Sequence, residues 1–220
     1  MKKLILAAIT LTSAASVFAQ GTVLFNNRVA NLATTHVYAG GGVRIGNGPG
    51  DLPAGATDYA GYTLIGTVGG MSASSTFAQL LGANGAGAPE SSLVPSTSPA
   101  TTFRTGAAAG NVVGTTSTFN NIPLDSVAAS FELAVWDNSS GLYPTWTQAS
   151  AAWSAGLIVA GRSAEFTIQN IGGLVNTPPN IVSSVAGQGL LSFGIAVPEP
   201  ASFALAGLGA AALLIFRRRK

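Results

Sequence analysis

The chain has 220 residues, 47% of them hydrophobic and only 8% charged, and it contains no cysteine. A charged fraction about a third of the usual ~25% argues against both a salt-bridged cytosolic enzyme surface and a charged disordered tail. The lack of thiols excludes disulfides and thiolate metal sites. The net charge of +2 belongs to the ends, Lys2, Lys3 and Arg217 to Lys220, whereas residues 20–197 hold four arginines against seven acids. Such a body has no cationic patch to neutralise phosphates, so no nucleic-acid partner is expected.

Met1-Lys2-Lys3 is a cationic start, followed by the apolar run Leu4 to Leu11 and by Val17-Phe18-Ala19, which offers side chains suited to a signal-peptidase site. The run is too short for a bilayer span of ~20 residues. Residues 1–19 are therefore read as a signal peptide cut between Ala19 and Gln20, with the Sec translocon and signal peptidase as partners.

Residues 20–196 read as an exported, all-β domain, an antiparallel β-sandwich or jelly-roll-like unit with one short helix. Strands are predicted at Thr22 to Phe25, His36 to Tyr38, Tyr62 to Val68, Phe77 to Leu81 and Val112 to Phe119. The clearest is Val127 to Trp136, where Val127, Ala129, Phe131, Leu133 and Val135 alternate with Ala128, Ser130, Glu132, Ala134 and Trp136. That period of two predicts a half-buried strand ended by the turn Asp137-Asn138-Ser139-Ser140-Gly141. Later strands are predicted at Ala164 to Ile168, Ile181 to Val185 and Leu190 to Val197, with Gly, Asn and Pro punctuating the gaps. Between Pro144 and Gly156, the spacing of Trp146, Ala149, Ala152 and Trp153 predicts a helix over Thr145 to Ala155. From Ser91 to Thr118, twelve of twenty-eight residues are Ser or Thr. That stretch reads as a surface loop, a seam between sub-sheets, or an acceptor of O-linked sugar.

The inventory argues against catalysis. His36 is the only histidine, which excludes a multi-His zinc site, and no Gly-x-Ser-x-Gly elbow accompanies it. It reads as an ordinary strand residue. Glu132 and Asp137 sit five apart, so a regular strand turns them to opposite faces and they do not make a glycosidase pair. Asp51, Asp58, Asp125 and Asp137 with Asn138 offer loop oxygens of the kind that hold calcium, but no Asp-x-Asp-x-Asp-Gly pattern occurs and no metal or other cofactor is expected. Tyr143 and Trp146, flanking Pro144 near a turn, are the best local candidates for a platform that stacks on sugars.

The chain closes with Val197-Pro198-Glu199-Pro200, an uncharged apolar stretch Ala201 to Phe216, and Arg217-Arg218-Arg219-Lys220. The prolines disfavour helix upstream of Ala201. The sixteen apolar residues that follow would make a helix of about 24 Å, short for a ~30 Å hydrocarbon core but able to span with local thinning. Positive-inside asymmetry keeps the terminal cations cytoplasmic and the body outside.

A Pro-Glu-Pro block, an apolar helix and a terminal Arg/Lys cluster in that order resemble the PEP-CTERM sorting signal, here residues 197–220. The resemblance implies recognition by exosortase, a membrane-embedded cysteine protease-transpeptidase of bacteria with a Gram-negative type of envelope. It further implies transient inner-membrane anchoring through Ala201-Phe216, then a place at the cell surface or in an exopolysaccharide-associated biofilm matrix. Three smaller blocks, Gln20 to Arg28, Thr102 to Gly106 and Ala134 to Asn138, look like elements repeated among exported proteins bearing this tail, and that group implies no activity. The expected function is a non-catalytic structural or adhesive envelope protein. The alternative is a carbohydrate-binding module recognising exopolysaccharide through surface aromatics.

Overall fold

A computed structural model of the protein describes residues 20–197. The signal peptide expected at 1–19 and the helix expected at Ala201-Phe216 lie outside these residues, and among the described residues no helix is long and apolar enough to cross a membrane.

The first strands are β1 (Gly21–Phe25), β2 (Arg28–Val29), β3 (Ala33–Thr34), β4 (Val37–Ala39) and β5 (Thr63–Leu64). They are followed by β6 (Thr76–Asn84), β7 (Val94–Pro95), β8 (Thr115–Phe119) and β9 (Ala128–Asp137). Then come the helix α1 (Trp146–Ser154) and strands β10 (Ala160–Arg162), β11 (Phe166–Gln169) and β12 (Phe193–Ile195). The fold is mostly β with one short helix, as the sequence predicts.

The longest pairing joins β6 to β9 antiparallel from Thr76↔Asp137 to Asn84↔Ala129. On the other edge of β9 lie β10 and β11 in succession. Between Arg162↔Ala134 and Phe166↔Phe131, residues 163–165 oppose only two residues of β9, which is a bulge that bends this edge. β7 pairs β6, β1 pairs β8, and β2 pairs β3. One pairing departs from the antiparallel expectation: β12 lies parallel to β4, with β5 antiparallel on the far side of β4.

The predicted face of β9 works as expected. Ala129, Phe131, Leu133 and Val135 enter one core with Val23 and Phe25 of β1, Leu80 of β6, Phe119 of β8 and Phe166 of β11. Burying an aromatic or branched side chain there contributes roughly 1.5–3 kcal/mol each. The expectation of a half-buried strand is corrected, however, because β9 is buried along both faces. Its second face is covered by α1, so that Ala134 and Trp136 form a separate cluster with Leu81, Trp146, Ala149 and Ala160. Val127, expected inside, precedes the strand and is 81% exposed.

The helix begins after Pro144 and buries Trp146, Ala149 and Ala152 of the predicted stripe, with Trp153 half-buried. Gly156 ends it at φ 72°, donating its N–H to the Trp153 carbonyl, a left-handed position that favours glycine. Several predicted strands are shorter. The run from Tyr62 stops at Leu64 because Gly66 takes φ 88° and the chain turns back. Ile181 to Val185 makes a single bridge, Val182↔Gly189, in place of a strand.

Parts of the Ser/Thr-rich stretch fold as a seam, the second of the three readings the sequence left open. Its hydroxyls do ladder work: Ser98 Oγ donates to the Thr116 carbonyl at 3.1 Å and accepts from Thr118 N at 3.1 Å, and Thr101 Oγ1 donates to the Val113 carbonyl at 2.7 Å. Asn27, fully buried, ties this seam to the segment between β3 and β4. Its amide donates to the carbonyls of Thr35 and Gly110, and its oxygen accepts from Val112 N.

Candidate functional site

The densest polar arrangement sits where the long loop between β4 and β5 meets the segment entering β12. Its centre is Asp51, whose carboxylate is buried. Oδ1 faces His36 Nδ1 at 2.5 Å, while Oδ2 accepts from Ser192 Oγ at 2.8 Å and from Gly48 N at 2.5 Å. Ser192 Oγ also accepts from His36 N at 2.7 Å, and Ser192 N donates to Asn47 Oδ1 at 3.1 Å. His36 thus lies just ahead of β4, not within a strand, and Asp51 and Ser192 are partners that sequence reasoning missed. The one local signal was the turn Gly48-Pro49-Gly50-Asp51.

These three residue types suggest hydrolytic chemistry, but their order forbids it. A nucleophilic serine must give its proton to the imidazole nitrogen remote from the aspartate. Here the serine hydroxyl and the imidazole hang on the same carboxylate, so the serine proton is directed at Asp51. The arrangement acts as a clamp that locks a glycine-rich loop onto β4 and β12.

Tyrosines complete the clamp. Tyr38 and Tyr59 stack at 3.9 Å between ring centroids, and Tyr62 meets Tyr59 edge-on at 5.5 Å. The Arg44 guanidinium lies 5.4 Å from the Tyr62 centroid. Tyr59 OH donates to the Gly46 carbonyl at 2.8 Å and Tyr62 OH to the Gly42 carbonyl at 2.7 Å. Burial, then the nearby Asp51 charge, pushes the Tyr38 phenol up to about 12, and the same causes raise Tyr59 well above its ordinary value. Both phenols therefore stay neutral at physiological pH, and Tyr59 keeps its donated bond to the Gly46 carbonyl.

The stacking platform expected at Tyr143 and Trp146 is corrected. Trp146 is 7% exposed, its ring 5.8 Å from Trp136 and 6.0 Å from Trp153. Tyr143 is half-buried against the same cluster, and its carbonyl accepts from Trp136 Nε1 at 2.7 Å. The physical reason lies in the second face of β9, which needs large apolar cover and takes these rings for it. A nearby cleft of about 450 Å³ is lined by Phe77, Gln79, Pro95 to Ala100, Pro144, Thr145 and Thr147, and neither ring reaches it.

The residues considered for calcium each accept from main-chain donors: Asp51 in the clamp, Asp58 from Ala60 N and Asn138 from Tyr143 N, with Asp125 and Asp137 in loops. Asp125 accepts from the N–H groups of Leu174, Val175 and Asn176, and these bonds, Asn176 first, hold its carboxyl below the usual value. Asp137 closes its own turn by accepting from Ser139 N. Glu132, pushed up by burial and partly pulled back by Arg162, pairs with that guanidinium at 3.1 Å. Arg162 is shared with Glu90. Among the described residues no three His, Cys, Asp or Glu side chains come together as metal ligands.

At the ends of the described chain, Gln20 donates to Asn120 Oδ1 at 2.5 Å, one residue before β1 begins. Ala196 exchanges hydrogen bonds with Ala160 and accepts from Trp153 Nε1, and Val197 beyond it is exposed. The described residues therefore end where the expected sorting signal begins. Pro198, Glu199, Pro200, Arg217, Arg218, Arg219 and Lys220 lie outside the described residues, as does Ala19 of the expected cleavage site.

Residues 196–220 match the model of the PEP-CTERM protein-sorting motif. No curated protein and no solved structure matches the chain. The C-terminal 25 residues thus carry the PEP-CTERM sorting signal, and the chain is an exported protein targeted to exosortase, with a membrane-associated sorting step.

Proposed function

We propose that the body is a non-catalytic structural or adhesive unit of sandwich-like architecture, delivered to the cell surface or an exopolysaccharide-associated matrix. In this reading the Sec translocon exports the chain, signal peptidase cuts between Ala19 and Gln20, and Ala201-Phe216 holds it in the inner membrane until exosortase acts. The observation that carries the reading is the use of the aromatic side chains: none among the described residues is exposed. They serve the core, the Trp136 cluster or the Tyr38–Tyr59 stack. A second reading, recognition of exopolysaccharide by aromatics, draws its support from Tyr38, Tyr59 and Tyr62, half-buried beside the exposed Arg44.

Two measurements test these readings. Replacing Glu199 by Ala, or the four terminal cations by neutral residues, should leave the protein unprocessed in the inner-membrane fraction. Maturation to the same form in the same compartment would refute the sorting part. Purified mature protein on a glycan array should bind no polysaccharide if the body is structural. Binding abolished by Tyr62→Ala would establish the second reading instead.

A further inference from the structure

Strand β11 leaves one edge of the main sheet open. Ile168 and Phe166 lie opposite Ala129 and Phe131, and Asn170 N donates to the Val127 carbonyl, which places the bonding groups of the even-numbered residues toward β9. Alternation then directs the N–H and C=O groups of Thr167 and Gln169 away from β9. Along the same edge, β10 is closed by Ala196, which exchanges both bonds with Ala160. Past the bulge no such cover continues among the described residues. A cleft of about 670 Å³ separates β11 from the opposite wall, Pro179 to Leu191.

We propose that this cleft takes an extended polypeptide segment of a partner protein, which joins the sheet as a strand alongside β11. The dimensions agree. A residue within a sheet occupies roughly 3.3 × 4.8 × 10 Å, about 160 Å³, so the cleft holds about four residues, the length of β11. Because the cleft has two walls, a lone strand enters more readily than the edge of a folded second copy. The lining chemistry selects among segments. Glu165 is its one charged side chain, beside Thr167, Gln169, Asn180, Ser183 and Gln188, while Phe166, Ile168 and Val182 face the core side. A fitting segment alternates apolar and hydroxylated residues and carries Lys or Arg opposite Glu165. An acidic segment is repelled. Main-chain bonds supply the affinity and the alternate side chains the selectivity.

The test uses the mature protein as the cell processes it and a blocked eight-residue peptide alternating Val and Thr, with Lys at one end. Without peptide, the amides of Thr167 and Gln169 should exchange with solvent much faster than those of Phe166 and Ile168. With peptide they should become protected, and fluorescence anisotropy should report saturable binding. N-methylating the two peptide nitrogens that face β11 removes two hydrogen bonds and should weaken binding about tenfold. Glu165→Lys, on an exposed side chain, should weaken it about threefold, and less at high salt. Unchanged exchange at Thr167 and Gln169, or equal binding of the N-methylated peptide, overturns the proposal. So does protection that appears with protein concentration alone, which would assign the edge to a second copy, and so does displacement of the peptide by an oligosaccharide.

Discussion

Replacing Asp51 by Ala tests the claim that His36, Asp51 and Ser192 form a clamp. The change strips the acceptor from Ser192 Oγ, Gly48 N and His36 Nδ1 at once. A buried donor left without a partner costs about 1–3 kcal/mol. Ser192 and Gly48 are buried and bear that cost, whereas the half-buried His36 finds water and bears less. The expected loss is therefore about 3–5 kcal/mol, or roughly 6–20 °C in melting temperature for a domain of this size. Asp51→Asn keeps an oxygen for Ser192 and Gly48 but turns an amide nitrogen toward His36, and should cost about half as much. Thermal unfolding by circular dichroism gives the magnitude, and hydrogen exchange gives the place. Protection should fall first at the parallel pair β4–β12 and in the loop from Gly40 to Tyr62, while β6 and β9 keep theirs. If Asp51→Ala melts within about 2 °C of the parent with β12 amides unchanged, the residues do not clamp the loop and the reasoning fails.

Three further outcomes follow from single residues. The Asp125 carboxyl is held down by backbone donors, so its contribution is present above the ordinary aspartate value of 3.8 and is lost as pH falls through the lower folded value. Asp125→Asn, which tolerates the φ of 53°, should narrow its stability gap from the parent only in that acid range, read from urea midpoints across pH 2 to 6. Glu132 behaves oppositely, since its folded value lies above 4.5. The folded state there binds the extra proton, so parent stability should decline as pH rises through that window, and Glu132→Gln should abolish this slope in denaturant midpoints. Gly82→Ala should destabilise by about 1–3 kcal/mol in the same assay, because its Cβ would stand 2.8 Å from Phe119 Cε1 and 2.9 Å from Phe131 Cε1.

Local periodicity was enough to find the elements whose neighbours are simple. The helix emerges from Pro144, Gly156 and the Trp146–Ala149–Ala152 stripe, and β9 from its alternation. Periodicity says nothing about what covers the second face of a strand. Ala128, Ser130, Glu132, Ala134 and Trp136 read as a mixed, solvated face, yet α1 packs on it and turns Trp146 from a candidate ligand contact into cover for Trp136. The Asp51 clamp was illegible for a different reason. It joins residues 36, 51 and 192, and no pattern within a window of a dozen residues can report a contact across 141 positions. The parallel β4–β12 pair joins segments as distant in sequence, from Phe193↔Val37 to Ile195↔Ala39, and was missed for the same reason.

The distribution of charge explains how a body with so few ionic groups stays specific. Asp51, Asp125, Asp137 and Glu132 each accept from main-chain or side-chain donors at a turn, a loop or a bulge, where the sheet ladder itself supplies no partner. Each acid thus fixes a connection, while apolar alternation builds the sheets. Cations in the body are fewer, and Arg162 serves two carboxylates while Arg44 lies on the Tyr62 ring. Apart from Arg28 and Arg104 of the body, the remaining basic charge sits in the two terminal segments, and the C-terminal one matches the sorting motif. A sorting signal must be read by membrane machinery, for which flanking lysine and arginine set orientation.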